Sequence, residues 1–188
     1  LITLDGEWGV NMRWKEVPPF PRQMQLGALS SDSLVYQMGY LMGKEHRALK
    51  IQVNFAPDID INNNPFNPAI NTRSFGEDKE KVSRYGMALM QGMKDAGVAG
   101  SAKHFPGHGD TDVDSHLALP MLPFSYERLD TLEMYPFKHL IAGGVDMDVI
   151  AIGSMRSLGI LKDVLATLYE DYTGGTAYGP AYPSMYQK

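Results

Sequence analysis

Apolar positions fall into short runs separated by longer segments with helical spacing. Residues 1–5, 51–57, 98–105 and 145–152 are brief and rich in β-branched or apolar side chains, which predicts four strands. After the Ser-Asp-Ser run at 31–33, Leu34, Val35, Met38, Leu41, Met42 and Leu49 recur at 3.6-residue spacing and predict an amphipathic helix with a core-facing stripe. A second helix is expected over 78–96, with Val82, Tyr85, Leu89 and Met93 on one face and Gly97 as its stop signal. A third follows Ser125 and carries Leu129 and Leu132, and Pro136 then starts a new turn. A fourth is suggested by Leu158, Leu161, Val164, Leu165 and Leu168.

Strands alternating with helices predict an α/β fold with a parallel sheet. Four βα units joined by substantial loops predict a (β/α)8 TIM-type barrel, incomplete in this chain because such barrels take about 250 residues. The alternative is a small open α/β sheet. Two segments are expected: a partial catalytic barrel over 1–173, and a tail or linker over 174–188, where Gly, Pro and Tyr dominate without periodicity. The chain opens directly on the strand pattern with no initiator Met and no signal peptide, which reads as a cut through a larger protein with further domains.

Composition narrows the functional classes. The chain has 188 residues, 44% of them hydrophobic, enough for a real core. Seventeen basic against 22 acidic residues give a net charge of −5, and no basic run is placed to follow a phosphate backbone, so nucleic acid is not an expected partner. No apolar run approaches the roughly 18 residues of a membrane span. The absence of cysteine removes thiolate catalysis, disulfides and Cys-ligated zinc.

In either α/β architecture, chemistry belongs on loops after the C-terminal strand ends. Three of the five histidines, His104, His108 and His116, lie in one such stretch, together with Asp110, Asp112 and Asp114. Pro106, Gly107 and Gly109 forbid a regular helix there, so this is a folded loop. Within it, Asp114 and His116 form the pair of chemical interest: a carboxylate beside an imidazole fixes its tautomer and favours its protonated form, giving an acid that can afterwards act as a base. Ser115 lies between them without a nucleophile-elbow pattern, so a serine hydrolase is not expected. Asp110, Asp112 and Asn62–Asn64 read as turn architecture, and His108 as a loop-stabilising hydrogen-bond partner. His46 and His139, alone on helices, read as structural or surface residues.

The run KHFPGHGDTDVDSHLALP at 103–120 resembles the signature of the N-acetylhexosaminidase branch of glycoside hydrolase family 3. Asn54-Phe55-Ala56-Pro57 with Asp58-Ile59-Asp60, and Arg73-Ser74-Phe75-Gly76-Glu77-Asp78, resemble further segments of that family. Asp5-Gly6-Glu7-Trp8-Gly9 followed by Arg13 is similar to its Asp-x-Glu-Gly-Gly run, with Trp8 in place of the usual glycine. The resemblance implies a barrel domain and a retaining β-glycosidase that removes terminal β-linked N-acetylglucosamine, by preference from bacterial peptidoglycan fragments. It implies His116 as general acid/base and Asp114 as its dyad partner. Asp5, Arg13, Arg73, Lys103 and His104 are implied to hold the hydroxyls of the sugar at the cleavage subsite. The implied partner is a carbohydrate, and no cofactor or metal is implied. The compartment, cytoplasm or periplasm, stays open.

A retaining displacement also needs a carboxylate nucleophile. Among the carboxylates after residue 145, Asp146, Asp148, Asp163, Glu170 and Asp171, none has the family's flanking pattern. Two alternatives therefore stand beside the leading reading. One is a non-catalytic carbohydrate-binding fragment without a nucleophile. The other is a divalent-metal site formed by His104, His108, Asp114 and His116, which Pro106 and Gly107 weaken by breaking the helical face its spacing needs.

Overall fold

The computed structural model describes residues 1–114, 117, 120, 122–144 and 147–151. Expectations for 152–188, including the fourth helix and the tail, and those for His116, Ser115 and Asp146, lie outside the described residues.

Four strands, β1 (Thr3–Leu4), β2 (Val53–Asn54), β3 (Ala99–Phe105) and β4 (Met147–Ala151), form one parallel sheet in the order β1-β2-β3-β4. Strand order equals chain order with no reversal, which is how a (β/α)8 barrel is wound and how a doubly wound open sheet is not. The strands form an arc of such a barrel. Between them lie α1 (Gln23–Gly27), α2 (Asp32–Ala48), α3 (Lys79–Asp95), α4 (Tyr126–Arg128) and α5 (Tyr135–Ala142). A π-type turn over Leu129–Glu133 links α4 to α5, and Pro136 sits in the first turn of α5, where a missing N–H costs little.

Local chemistry explains the element ends. The Asp78 carboxylate accepts the Lys81 N–H at 2.9 Å and caps α3, and the Ser125 hydroxyl accepts the Arg128 N–H and caps α4. Gly97, at φ 83°, ends the segment after α3. The core lies between the sheet and helices α2, α3 and α5. Val35, Met38 and Met42 of α2 meet Val82, Tyr85, Leu89 and Met93 of α3 among its buried side chains, and Phe105 meets Phe137 edge to face at 5.1 Å.

Two expectations need correction. Leu34, Leu41 and Leu49 do not belong to the buried stripe of α2, because they are 48%, 55% and 48% exposed on its outer side. The first strand is also shorter than residues 1–5, with Leu1 almost fully exposed and pairing confined to Thr3↔Val53 and Leu4↔Asn54. Among the described residues no helix is long and apolar enough to cross a membrane.

The sheet's C-terminal edge is extended by backbone pairing that positions the polar residues. Beyond β2, the Ile59 N–H donates to the Lys103 carbonyl at 2.8 Å and the Lys103 N–H to the Pro57 carbonyl at 3.2 Å. The segment holding Asp58 and Asp60 is thereby laid along the end of β3.

Candidate active site

Polar side chains from the ends of β1, β2 and β3 converge in one network. After β1 the chain turns at Gly6, whose N–H donates to the Asn54 side chain at 3.0 Å. Glu7 is buried, 1% exposed. Trp8, its neighbour, stacks under the Arg22 guanidinium, 3.9 Å from ring centroid to Cζ.

Glu7 joins two cations. Arg73 donates to it through Nε (3.0 Å to Oε2) and Nη2 (2.8 Å to Oε1), and Lys103 Nζ lies 2.8 Å from Oε1. Lys103 also reaches Asp5 Oδ1 at 2.6 Å, and Arg13 holds the other Asp5 oxygen at 2.8 Å. Burial works to raise the Glu7 pKa, but hydrogen bonds and charge from Arg73 and Lys103 outweigh it and hold the carboxyl at about 2. Burial likewise works against the Arg73 charge, and Glu7 and Asp58 keep that charge in place. The five positions assigned to sugar binding are thus neighbours in space. Asp5, Arg13 and Lys103 form one chain of contacts, while Arg73 contacts His104, its Nη2 being 3.1 Å from Nε2.

That contact fixes the state of His104. A guanidinium can only donate, so Nε2 is the acceptor and the ring proton sits on Nδ1, which donates to Asp60 Oδ2 at 2.7 Å. Burial, reinforced by the charges of Arg73 and Lys103 and opposed by Asp58, pulls the His104 pKa down to about 4. His104 is a neutral imidazole at neutral pH.

Beneath this layer stand two buried carboxyls. Asp60 Oδ1 accepts the His108 N–H at 2.6 Å, and Asp58 Oδ1 accepts the Asp60 N–H at 3.0 Å. Burial raises Asp60 to about 6, partly offset by the N–H groups of His108 and His104. Asp58 goes well above the usual range, through burial and then the charge of Asp60. Its Oδ2 has no hydrogen-bond partner, 3.7 Å from Arg73 Nε and 3.8 Å from His104 Nδ1.

The loop after β3 is tied to the loop after β2. A Cβ at Gly109 would lie 1.7 Å from the Ile61 carbonyl oxygen, so this glycine allows the two backbones to touch, while Gly107, at φ 146°, packs against Glu133. Asn67 Nδ2 donates to the His108 carbonyl at 2.6 Å, and Asn64 Nδ2 to Asp112 Oδ1 at 2.9 Å. The Thr111 hydroxyl donates to the His108 carbonyl at 3.1 Å and accepts from His108 Nδ1 at 2.5 Å. The bare Nε2 of His108 is then left buried without a partner. Burial lowers the His108 pKa to about 4, helped by His104 and Arg73 and opposed by the nearby Asp114 charge. Asp110 pairs with Arg128 at 2.5 Å. Asp114 stands further along this loop, half-buried, and its carbonyl accepts the Leu117 N–H at 2.9 Å. His116, the other half of the expected pair, lies outside the described residues.

Asp58, Asp60 and His104 offer ligand atoms within 4.8 Å of one another, the set among the described residues with metal-like spacing. Its chemistry does not suit a cation. Both Asp60 oxygens and His104 Nδ1 already share protons with each other or with backbone N–H groups, and the Arg73 guanidinium stands beside Asp58 where an ion would add to its charge.

Glu7, Asp58 and Asp60 fall within the sequence motifs, but sequence reasoning gives them no role. The available signal is weak: an acid two residues after another at a strand end, in Asp5-Gly6-Glu7 and in Asp58-Ile59-Asp60.

Residues 1–156 match the family model described as the glycosyl hydrolase family 3 N terminal domain. The chain is 38% identical over 145 residues to a protein named beta-hexosaminidase A from Pseudoalteromonas piscicida, covering 74% of this chain and 24% of that one. It is 41% identical over 148 residues to a beta-hexosaminidase from Shewanella frigidimarina, covering 75% and 43%. A solved glycoside hydrolase family 3 beta-N-acetylglucosaminidase from Paenibacillus sp. strain FPU-7 superposes with a TM-score of 0.74 at 49% identity, over 80% of this chain and 30% of that one. The chain therefore spans less than half the length of these relatives.

Proposed function

Because this chain belongs to the glycosyl hydrolase family 3 N-terminal domain family, whose fold is the (β/α)8 barrel, we propose that it supplies the sugar pocket and the proton-transfer pair of a retaining β-N-acetylhexosaminidase. The substrate is a terminal β-linked N-acetylglucosaminide, in the first place one from peptidoglycan.

One observation carries this reading: Asp5, Arg13 and Lys103 on one side and Arg73 and His104 on the other, drawn from three strand ends, are joined through Glu7 into a connected set of donors and acceptors at the C-terminal edge of the sheet. A pyranose presents vicinal hydroxyls that both donate and accept, and a carboxylate with flanking cations grips two of them at once. Arg13 and Asp5 are the more exposed pair, suited to exchange their mutual contact for a hydroxyl. Lys103 and Arg73, held by Glu7, form the fixed side. In this reading Asp114 orients His116, which protonates the glycosidic oxygen as the bond to the anomeric carbon breaks, then removes a proton from the incoming water. In a retaining displacement a separate carboxylate bonds the anomeric carbon as the leaving group departs, and water then releases the sugar from it.

Hydrolysis of aryl N-acetyl-β-glucosaminides by the wild type and by His116→Ala tests the reading. With poor leaving groups the variant is expected to lose a factor on the order of 10² to 10⁴ in kcat/KM, the usual share of general acid catalysis. With good leaving groups, which need little protonation, the loss is expected to be much smaller. Equal losses across the series reject the acid role. Sugar binding with no turnover and no trapping by a fluorosugar favours a binding fragment instead.

A further inference from the structure

The geometry points to Asp60 as a positioning residue that couples the sugar pocket to the loop bearing the acid–base pair, one carboxylate oxygen holding His104 and the other holding the backbone of His108. The inference deepens the proposed function and rests on it for its kinetic arm only.

Every polar atom of Asp60 is engaged. Oδ2 accepts from His104 twice, from the ring Nδ1–H at 2.7 Å and the backbone N–H at 3.2 Å. Oδ1 accepts the His108 N–H at 2.6 Å. Its own N–H donates to Asp58, and its carbonyl accepts the Ser74 hydroxyl at 2.6 Å, one residue from Arg73. The side chain is buried, so these bonds form without competition from water. His104 is a pocket residue, and His108 stands at the root of the loop that runs on to Asp114. A shift at either end is transmitted through one rigid carboxylate, and a misplacement on the ångström scale is enough to impair proton transfer.

Charge and shape both matter. Three N–H groups face the two carboxylate oxygens, an arrangement an amide cannot reproduce. In Asp60→Asn one end must offer an NH2 group. Turned toward His104, that group opposes the Nδ1–H and drives the proton to Nε2, where it meets the Arg73 donor at 3.1 Å. Turned toward His108, it opposes the backbone N–H and frees the loop root.

Two measurements on the intact protein test this. The first compares wild type and Asp60→Asn by 15N resonances of the histidine rings, thermal midpoint, kcat and KM. Expected are an Nδ1–H neutral tautomer of His104 in the wild type, a changed His104 pattern in the variant, and a kcat/KM lower on the order of 10²-fold with both kcat and KM altered. A lowered thermal midpoint with an unchanged His104 pattern and unchanged kinetics below that midpoint overturns the inference. The second needs no variant: in a pH titration, the His104 ring nitrogens and the His108 amide proton should each show a step at the midpoint of the Asp60 carboxyl carbon, distinct from the protonation of the His104 ring itself at lower pH. Asp58, Arg73 and Glu7 also face this cluster, and their resonances identify any titration that originates elsewhere. Absence of the Asp60 step at either His104 or His108 overturns the coupling. A wild type inactive on β-N-acetylglucosaminides rejects the proposed function, while the titration still decides the role of Asp60.

Discussion

Glu7 is where the two buried cations of the pocket meet, and its environment makes a prediction at the residue scale. Removing its charge leaves Lys103 with Asp5 alone and deprives Arg73 of the carboxylate it grips through Nε and Nη2. Glu7→Gln is therefore expected to destabilise the fold by about 3–5 kcal/mol at neutral pH, the cost of breaking a buried pair by one partner. The pH dependence has a definite sign. Glu7 is held at about 2 in the folded protein against 4.5 ordinarily, so its stabilisation is present above pH 4.5 and disappears as pH falls toward 2. The gap between wild type and Glu7→Gln in urea unfolding should be wide at pH 7 and should close between pH 4.5 and 2. A gap that stays constant over that range refutes the role given to the ion pairs. Glu7 and Asp60 mark the limit of what sequence reveals at this scale. Asp5, Arg73, Lys103 and His104 were legible through their motifs, but the two buried acids that hold them act across separations such as Glu7 to Arg73, 66 residues, and Asp60 to His104, 44 residues. Nothing local to either acid distinguishes it from an ordinary turn residue.

At the scale of elements, periodicity located the helices well because burial on one face leaves its imprint every third or fourth residue. It misjudged their outer faces: Leu34 and Leu41 share the spacing of the core stripe yet point away from α3, since α2 packs along a narrower seam than its apolar content implies. Strand lengths were overestimated for a related reason. Apolar runs at 1–5 and 51–57 continue past the paired residues, and only Thr3–Leu4 and Val53–Asn54 enter the ladder. What sets the α2–α3 seam is not a large residue but small ones. A Cβ at Gly92 would lie 2.2 Å from the Tyr36 carbonyl oxygen and 2.6 Å from the Tyr40 nitrogen, and one at Gly39 would lie 2.2 Å from the Leu89 carbonyl oxygen. Gly92→Ala thus opposes two effects. Helix propensity favours alanine by up to about 1 kcal/mol, whereas forcing apart backbone that cannot swing away costs about 1–3 kcal/mol. The second is expected to win, and differential scanning calorimetry should record a lower thermal midpoint. Gly143→Ala, whose added Cβ would meet the flexible end of Met87, should lower it less. The reverse order would place the close approach elsewhere.

For the molecule as a whole, the sheet separates an apolar body from a polar rim, and the rim governs how stability responds to pH. Two opposing sets of groups are buried there. His104 and His108, each near 4 against an ordinary 6.5, are kept neutral, so the protein gains stability as pH rises from about 4 to 6.5. Asp58 and Asp60 are shifted upward and act in the other direction. Their unfolded forms release a proton near 3.8, while the folded protein retains it, so each lowers stability as pH rises toward its folded pKa. Between about pH 4.5 and 6 the two sets largely cancel, and the profile there should be shallow, steepening below 4.5 as Glu7 is protonated. Asp58, raised well above the ordinary carboxylate range by burial and then by the charge of Asp60, keeps its proton in the folded state beyond the point where the unfolded chain has lost it. Its Oδ2 accepts no hydrogen bond, so a neutral amide of the same shape removes this liability at little structural cost, and the amide oxygen can still accept the Asp60 N–H. Asp58→Asn is accordingly expected to be more stable than wild type, by a margin that grows as pH rises above the ordinary carboxylate range in guanidinium unfolding. A wild type at least as stable as the variant at pH 8 would mean that Asp58 is ionised and paired with Arg73, and the charge balance assigned to the pocket would have to be redrawn with one more anion.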